Sequence, residues 1–271
     1  MNRALFAVLP FLCVWAGVYL AASRHRDNEP TVPTILRVLT YNIHHGEGMD
    51  GRFDLPRLAD IMTGADPHLI ALQEVDQSTE RAGGVDQIAE LGRLTGMRPV
   101  FGKAMDFQGG AYGVGVLSRK PIRRVKNRPL PGSADREPRT ALTVDVDMGG
   151  GRPPVQFTST HLDQGRDQKD KVAQASYLNV SLSRGTDDVG ILAGDMNARA
   201  DTEAMEILSR RWTDMFSDPP LDATGRPRRR VDYVMVRPAA YWRTIESRFV
   251  DAPLASDHQP ILVVLEWVGP S

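Results

Sequence analysis

From Ile35 onward the apolar residues of this chain switch repeatedly between a period of two and a period of three to four. That alternation restricts the fold to strands interleaved with helices and excludes an all-helical or all-strand architecture. Strands are expected at Leu36–Asn42, Leu69–Glu74, Val114–Ser118, Thr140–Val146, Val155–His161, Gly190–Gly194, Val231–Val236, Arg243–Phe249 and Ile261–Glu266. Helices are expected at Leu55–Thr63 before Gly64, at Val85–Leu94 before Gly96, over Asp167–Leu182, and over Glu203–Leu208 after a Thr202 cap. Several strands follow one another with no helix between them. A hairpin needs only a short turn whereas a parallel return needs a crossover, so the sheets should be mixed, with antiparallel neighbours. Pro129-Leu130-Pro131-Gly132 and Ser217–Arg230 read as irregular, and no internal repeat is present.

The chain has 271 residues, compatible with one large α/β domain or two small ones. Its first stretch reads as a targeting segment: Asn2-Arg3 supplies a positive start, Ala4 to Leu20 is almost wholly apolar, and Ala21-Ala22-Ser23 offers small residues for cleavage. Residues 1–23 are therefore expected to be a signal peptide or, uncleaved, a membrane anchor. Residues 24–33, charged and Pro-bearing, form a linker, and 34–268 form the folded domain. The protein should then be exported, either secreted or held at a membrane. The single cysteine, Cys13, lies in the apolar stretch and rules out an internal disulfide framework. With 33 Lys+Arg against 34 Asp+Glu, the strongly basic surface of a protein that grips long nucleic acid through counterion release is not expected.

Polar clusters recur where apolar runs end: Tyr41-Asn42-Ile43, Leu72-Gln73-Glu74-Val75, Thr160-His161-Leu162-Asp163, Gly194-Asp195-Met196-Asn197 and Ser256-Asp257-His258-Gln259-Pro260. Singly, each is an ordinary turn or solvated strand end. Together they carry more weight, because strand ends of an α/β protein converge on one rim, where residues far apart in sequence meet in space. Carboxylates, amides and imidazoles gathered there suit a site for a divalent metal and a phosphate.

With Thr40-Tyr41-Asn42-Ile43, Leu72-Gln73-Glu74-Val75, Arg136-Glu137-Pro138, Ser159-Thr160-His161-Leu162, Gly194-Asp195-Met196-Asn197-Ala198, Val231-Asp232-Tyr233 and Ser256-Asp257-His258-Gln259-Pro260 in this order, the chain resembles the endonuclease/exonuclease/phosphatase superfamily. That superfamily includes pancreatic-type deoxyribonucleases, apurinic endonucleases, sphingomyelinases and inositol polyphosphate phosphatases. The resemblance implies a four-layer α/β sandwich, two mostly antiparallel β-sheets face to face with outer helices, and a site at one end. It departs from the pattern at Tyr112-Gly113-Val114-Gly115, where many relatives carry Gly-Asn.

The resemblance also implies roles. Glu74 is the expected metal ligand, with Asn42 beside it and Asp257 completing the shell; such hard oxygen donors favour Mg²⁺, or Mn²⁺, over zinc. Asp195 is expected to activate the attacking water and Asn197 to hold water or phosphate. His258 should contact the scissile phosphate while Asp232 fixes its tautomer, and His161 should be a second phosphate contact. Either Asp195 or the His258–Asp232 pair removes the proton. Arg136 and Arg139 are candidate phosphate clamps. The run Arg226, Arg228, Arg229, Arg230 should rim the site, and His44 and His45, on the first loop beyond Asn42, are within reach of substrate but unassigned. The expected activity is hydrolysis of phosphate esters, as a phosphodiesterase acting on nucleic acid or on a phospholipid headgroup. The alternatives are a phosphomonoesterase of the inositol-phosphate type, which would want further Lys or Arg in the pocket, and a non-catalytic binding protein on the same fold. The latter predicts loss of Glu74, Asp195, Asp257 or His258, all of which are present.

Overall fold

In the computed structural model, residues 34–182, 188–216 and 230–270 are described; the N-terminal targeting and linker segments and Arg226, Arg228 and Arg229 lie outside them. The described residues form two six-stranded sheets. In chain order the strands are β1 (Thr34–Asn42), β2 (Leu69–Gln77), β3 (Arg98–Phe107), β4 (Gly110–Ser118), β5 (Ile122–Pro129), β6 (Thr140–Val146), β7 (Val155–His161), β8 (Gly190–Asp195), β9 (Thr213–Asp214), β10 (Asp232–Arg237), β11 (Trp242–Phe249) and β12 (Ile261–Trp267). The helices are α1 (Leu55–Gly64), α2 (Gln87–Thr95), α3 (Lys169–Ser181) and α4 (Glu203–Ser209). One sheet runs β11-β12-β1-β2-β4-β3 and the other β5-β6-β7-β8-β10-β9. Only β1/β2 and β7/β8 are parallel; α1 and α3 supply the crossovers those two returns require.

Three apolar clusters explain the layers. Leu36, Val38, Leu69 and Val116 of the first sheet meet Leu142, Phe157, Ile191 and Val234 of the second in the central core. The next residues along β1 and β2, Leu39, Tyr41, Ile70 and Leu72, face the other way and bury Leu58 and Met62 of α1 and Leu91 of α2. On the far side Leu192 and Tyr233 bury Ala175 and Leu178 of α3 and Leu208 of α4. The order is helix, sheet, sheet, helix, as the resemblance implied. Strands buried on both faces read as continuous apolar runs, which is why β1, β2 and β8 were visible in sequence. The helix boundaries have local causes: Asp54 accepts a bond from Arg57 N and Asp86 one from Ala89 N, while Gly96, at φ 67°, ends α2. Among the described residues no helix is long and apolar enough to cross a membrane.

Three strands are absent from those expected in the sequence, β3, β5 and the two-residue β9, and β5 extends to Pro129, in a stretch expected to be irregular. All three lie at sheet edges, where Pro99 and Gly102 interrupt the alternation of β3 and the charges of Arg123, Arg124 and Lys126 mask that of β5.

Candidate active site

The parallel pairs place four side chains at one end of the sandwich. Asn42 closes β1 in register with Gln73, and His161 closes β7 in register with Asp195, the last residue of β8. Asp232 opens β10 directly opposite Asp195. His258 lies in the loop leading to β12, whose Ile261 pairs with Thr40 of β1. Glu74 reaches the same rim through a bulge: between Leu72 and Val75 the register of β2 on β4 slips by one residue, and Glu74 takes φ 57°. A non-glycine residue in the left-handed region costs about 1–3 kcal/mol, and a bulge re-aims the side chain it carries. His44, His45 and Asn197 also have positive φ, so backbone strain is concentrated around this end.

A continuous chain of contacts joins these groups. Asn42 Nδ2 donates to Glu74 Oε1 at 2.9 Å and to Asp195 Oδ2 at 3.3 Å. The same Asp195 oxygen lies 3.4 Å from His161 Nε2 and 3.6 Å from His258 Nε2. His258 Nδ1 bonds Asp232 Oδ2 at 2.8 Å, and Asn197 N donates to Asp195 Oδ1 at 2.8 Å. Ser256 Oγ, 2.8 Å from the Asn42 carbonyl, receives the His258 N–H at 3.2 Å and pins the loop that carries Asp257. Asp257 itself is exposed. Its Oδ1 accepts from Ser256 Oγ at 3.3 Å.

The two histidines flanking Asp195 are driven to opposite charge states. Burial, then the positive charges of Arg139 and His258, hold His161 well below the usual imidazole range. Arg139 Nη1 can only donate and lies 2.9 Å from His161 Nδ1. The neutral ring must therefore carry its proton on Nε2, facing Asp195. Asn197 Nδ2 donates to Leu162 O at 3.0 Å and lies 2.9 Å from that Nε2; an amide N–H and a protonated ring nitrogen are both donors, so this second contact is not a hydrogen bond. Burial also opposes charge on His258, but the hydrogen bond and charge of Asp232, with Asp195 and Asp257 behind them, outweigh it and raise the pKa to about 10. Asp195 is held up by burial and then by the like charge of Asp232, against the pull of His258. Environments that push titrating groups apart in this way mark acid–base sites.

The donor set fits a hard divalent cation. Glu74, Asp195, Asp232 and Asp257 bring carboxylates to one rim, and donor atoms of Asp195, Asp232 and His258 lie within 4.8 Å of one another. Asp232 Oδ1 is buried without a hydrogen-bond partner among the described residues. Uncompensated buried carboxylate oxygen is what a cation would satisfy. Asn42 departs from the role expected of it: its Oδ1 accepts from His44 N at 3.1 Å while its N–H groups face the carboxylates. In this arrangement it orients Glu74 and Asp195 rather than offering oxygen to a metal.

The arginines also separate. Arg139 is buried against His161 and pairs with Glu137 at 2.7 Å. Arg136 instead bonds Asp167, just before α3, at 3.1 Å, so the expected pair of clamps reduces to one residue at the site. Arg230 lies with its guanidinium 4.1 Å from the Tyr233 ring centroid and donates to Asp232 O at 3.1 Å. Two supports were missed in sequence. Lys171 of α3 is buried and donates to Gly165 O and Asn197 O at 2.7 and 3.1 Å, and Arg81 lines a cavity beside Glu74. Arg81 had a faint signal, an arginine before Gly83-Gly84 in the loop that leaves the Glu74 strand.

A family model described as "Endonuclease/Exonuclease/phosphatase family" matches residues 39–258, a span that includes every site residue named above. The chain belongs to the endonuclease/exonuclease/phosphatase family. This is a family of metal-dependent phosphoesterases, hydrolases of phosphate ester bonds. No curated protein matches the sequence, whereas many solved structures match the fold. An endonuclease/exonuclease/phosphatase from Beutenbergia cavernae is 24% identical, with 87% of this chain and 72% of that chain covered and a TM-score of 0.70. The mannosyl-6-phosphatase of Bacteroides thetaiotaomicron is 18% identical over 85% and 99% of the two chains, with a TM-score of 0.65. The catalytic domain of human nocturnin is 16% identical over 88% and 96%, with a TM-score of 0.67. At these identities the likeness is one of fold.

Proposed function

We propose that the protein is a phosphodiesterase that uses Mg²⁺, with Mn²⁺ as substitute, on esters of the kind found in nucleic acid or in a phospholipid headgroup. The observation that carries this reading is the unbroken run of contacts Glu74–Asn42–Asp195–His258–Asp232. It sets a free carboxylate edge beside a protonated imidazole and a buried carboxylate of raised pKa, the groups an in-line displacement at phosphorus needs. Glu74 and Asp257 would hold the cation, which supplies charge neutralisation on the phosphate and at the leaving oxygen. His258, kept as the cation by Asp232, donates to a phosphate oxygen. Asp195 accepts the proton of the attacking water, and Asn197 orients that water or a phosphate oxygen. His161, its tautomer set by Arg139, presents Nε2–H on the other side of Asp195.

Charge favours a diester over the phosphomonoester alternative. A dianionic monoester would want an unpaired cation in the pocket, yet Arg139 is paired with Glu137 and Arg81 with Asp76. Export, with the protein either secreted or held at a membrane by the uncleaved segment, is proposed on the apolar N-terminal sequence alone.

The test is a panel of linear and circular DNA, RNA, sphingomyelin, phosphatidylinositol and a chromogenic diester, assayed on the full-length chain with Mg²⁺, Mn²⁺, Ca²⁺ or chelator. Glu74→Gln, Asp195→Asn and His258→Ala should each lower turnover by roughly a hundredfold or more without unfolding the protein. Wild-type turnover in all three variants would remove the site assignment.

A further inference from the structure

Beside Glu74 the rim opens into a cavity of about 210 Å³ whose walls include Glu74, Arg81, Glu137, Arg139, Phe107 and Tyr112. Arg81 is fixed there: its Nε and Nη2 bond the two oxygens of fully buried Asp76 at 2.6 and 2.9 Å. Thr79 Oγ1 steadies that carboxylate at 2.7 Å. The guanidinium carbon lies 4.7 Å from the Phe107 ring centroid and 5.5 Å from that of Tyr112. Its Nη1 makes no hydrogen bond among the described residues. Next to it Gln87 accepts from Asp76 N at 2.8 Å and donates to His45 O at 2.5 Å, tying the loop of His44 and His45 to the same wall.

We propose that this cavity receives the alcohol portion of the phosphodiester, that the group it accepts is compact, uncharged and rich in hydroxyls, of the size of one sugar ring or smaller, and that Arg81 determines this preference. The inference rests on the phosphodiesterase reading of the adjoining site. Four observations select the class. The volume of about 210 Å³ lies below the roughly 300–1,000 Å³ of pockets for drug-sized ligands. The walls carry donors (Arg81, Arg139), an acceptor (Glu137) and an amide that does both (Gln164), which suits hydroxyls because each both donates and accepts. Arg81 lies over one face of each aromatic ring and takes that face from a stacking nucleobase or a quaternary ammonium. Both arginines are neutralised by carboxylates, so a second phosphate finds no free charge.

The test uses the full-length protein in two assays. Saturation-transfer NMR, without added metal, compares glycerol, a free hexose, a nucleoside and choline. Steady-state kinetics with Mg²⁺ compare p-nitrophenyl phosphodiesters of hexose, nucleoside and choline with bis-p-nitrophenyl phosphate. We expect the hexose to bind and its diester to be preferred by at least tenfold in kcat/KM. In Arg81→Met that preference should fall about tenfold, chiefly through KM, and Arg81→Lys serves as a second variant should the first fail to fold. Binding or preference shown by nucleoside or choline, or a hexose preference unmoved in a folded Arg81 variant, would overturn the proposal. Diester turnover with no hexose preference removes this inference alone. Hexose binding without hydrolysis of any diester removes the phosphodiesterase reading and leaves the pocket standing.

Discussion

Single side chains in this site work through what they do to one another's charge. His258 is an imidazolium in the fold because Asp232 holds its Nδ1 proton. An unfolded histidine titrates near 6.5. Its folded value is higher, so the pair contributes fully below about pH 6.5, and the contribution is lost as pH rises through about 10. Asp232→Asn should therefore bring the alkaline limb of the pH–rate profile down toward neutrality and lower the melting temperature at pH 5, where the full contribution is lost, more than at pH 8, where part of it has already gone. An unchanged limb would show that His258 does not act as the cation. Asn42, Glu74, His161 and Asp195 were legible in sequence because each closes an apolar run, whereas Asp232 and His258, which stand at or before the start of their strands, and the pairing of the two were implied only by the resemblance. The charge of His258 and the tautomer of His161 were not legible, since they depend on Asp232 and Arg139, which chain order does not place beside them.

At the scale of elements, the close approach of β7 and β8 depends on Gly194. It sits at φ 153°, and a Cβ there would lie 1.9 Å from the Thr160 carbonyl oxygen. Gly194→Ala should cost on the order of 3 kcal/mol, seen as a lower melting temperature, and should depress turnover by displacing Asp195 from His161; an alanine variant with native melting and turnover would contradict this. Strands buried on both faces declared themselves as apolar runs, and α1 and α2 by their stripes and caps; α3 and α4 form without a side-chain cap, and Thr202, expected to cap α4, stands at its N-cap but donates its hydroxyl back to Arg199 O. The edge strands β3 and β5 did not, because their outer faces answer to solvent and to the avoidance of edge pairing rather than to a core. Arg81 was hidden for a similar reason: its partners Asp76, Phe107 and Tyr112 come from β2, β3 and β4, and the contact exists only once those strands pair.

For the molecule as a whole, crowded carboxylates are a cost that a divalent ion would relieve. A ligand that binds only the native state at a hundred times its Kd adds about 2.7 kcal/mol, worth roughly 2–4 °C per kcal/mol in a domain of this size. Mg²⁺ should therefore raise the melting temperature of the native protein, chelator should reverse the rise, and Glu74→Gln should abolish it. A shift that survives in Glu74→Gln would move the ion to the Asp195–Asp232 side. The seam between the sheets gives the site its unity: Gln73 Nε2 reaches Ser159 Oγ at 3.4 Å, Ser159 Oγ reaches the Leu72 carbonyl at 3.1 Å, and Asn42 reaches Asp195 at 3.3 Å. Glu74 and Asn42 ride on one slab, and Asp195, His161 and Asp232 on the other. Neither slab owns a working centre, so no trimming of this protein to a smaller catalyst can keep half of it and still bring the reacting groups face to face.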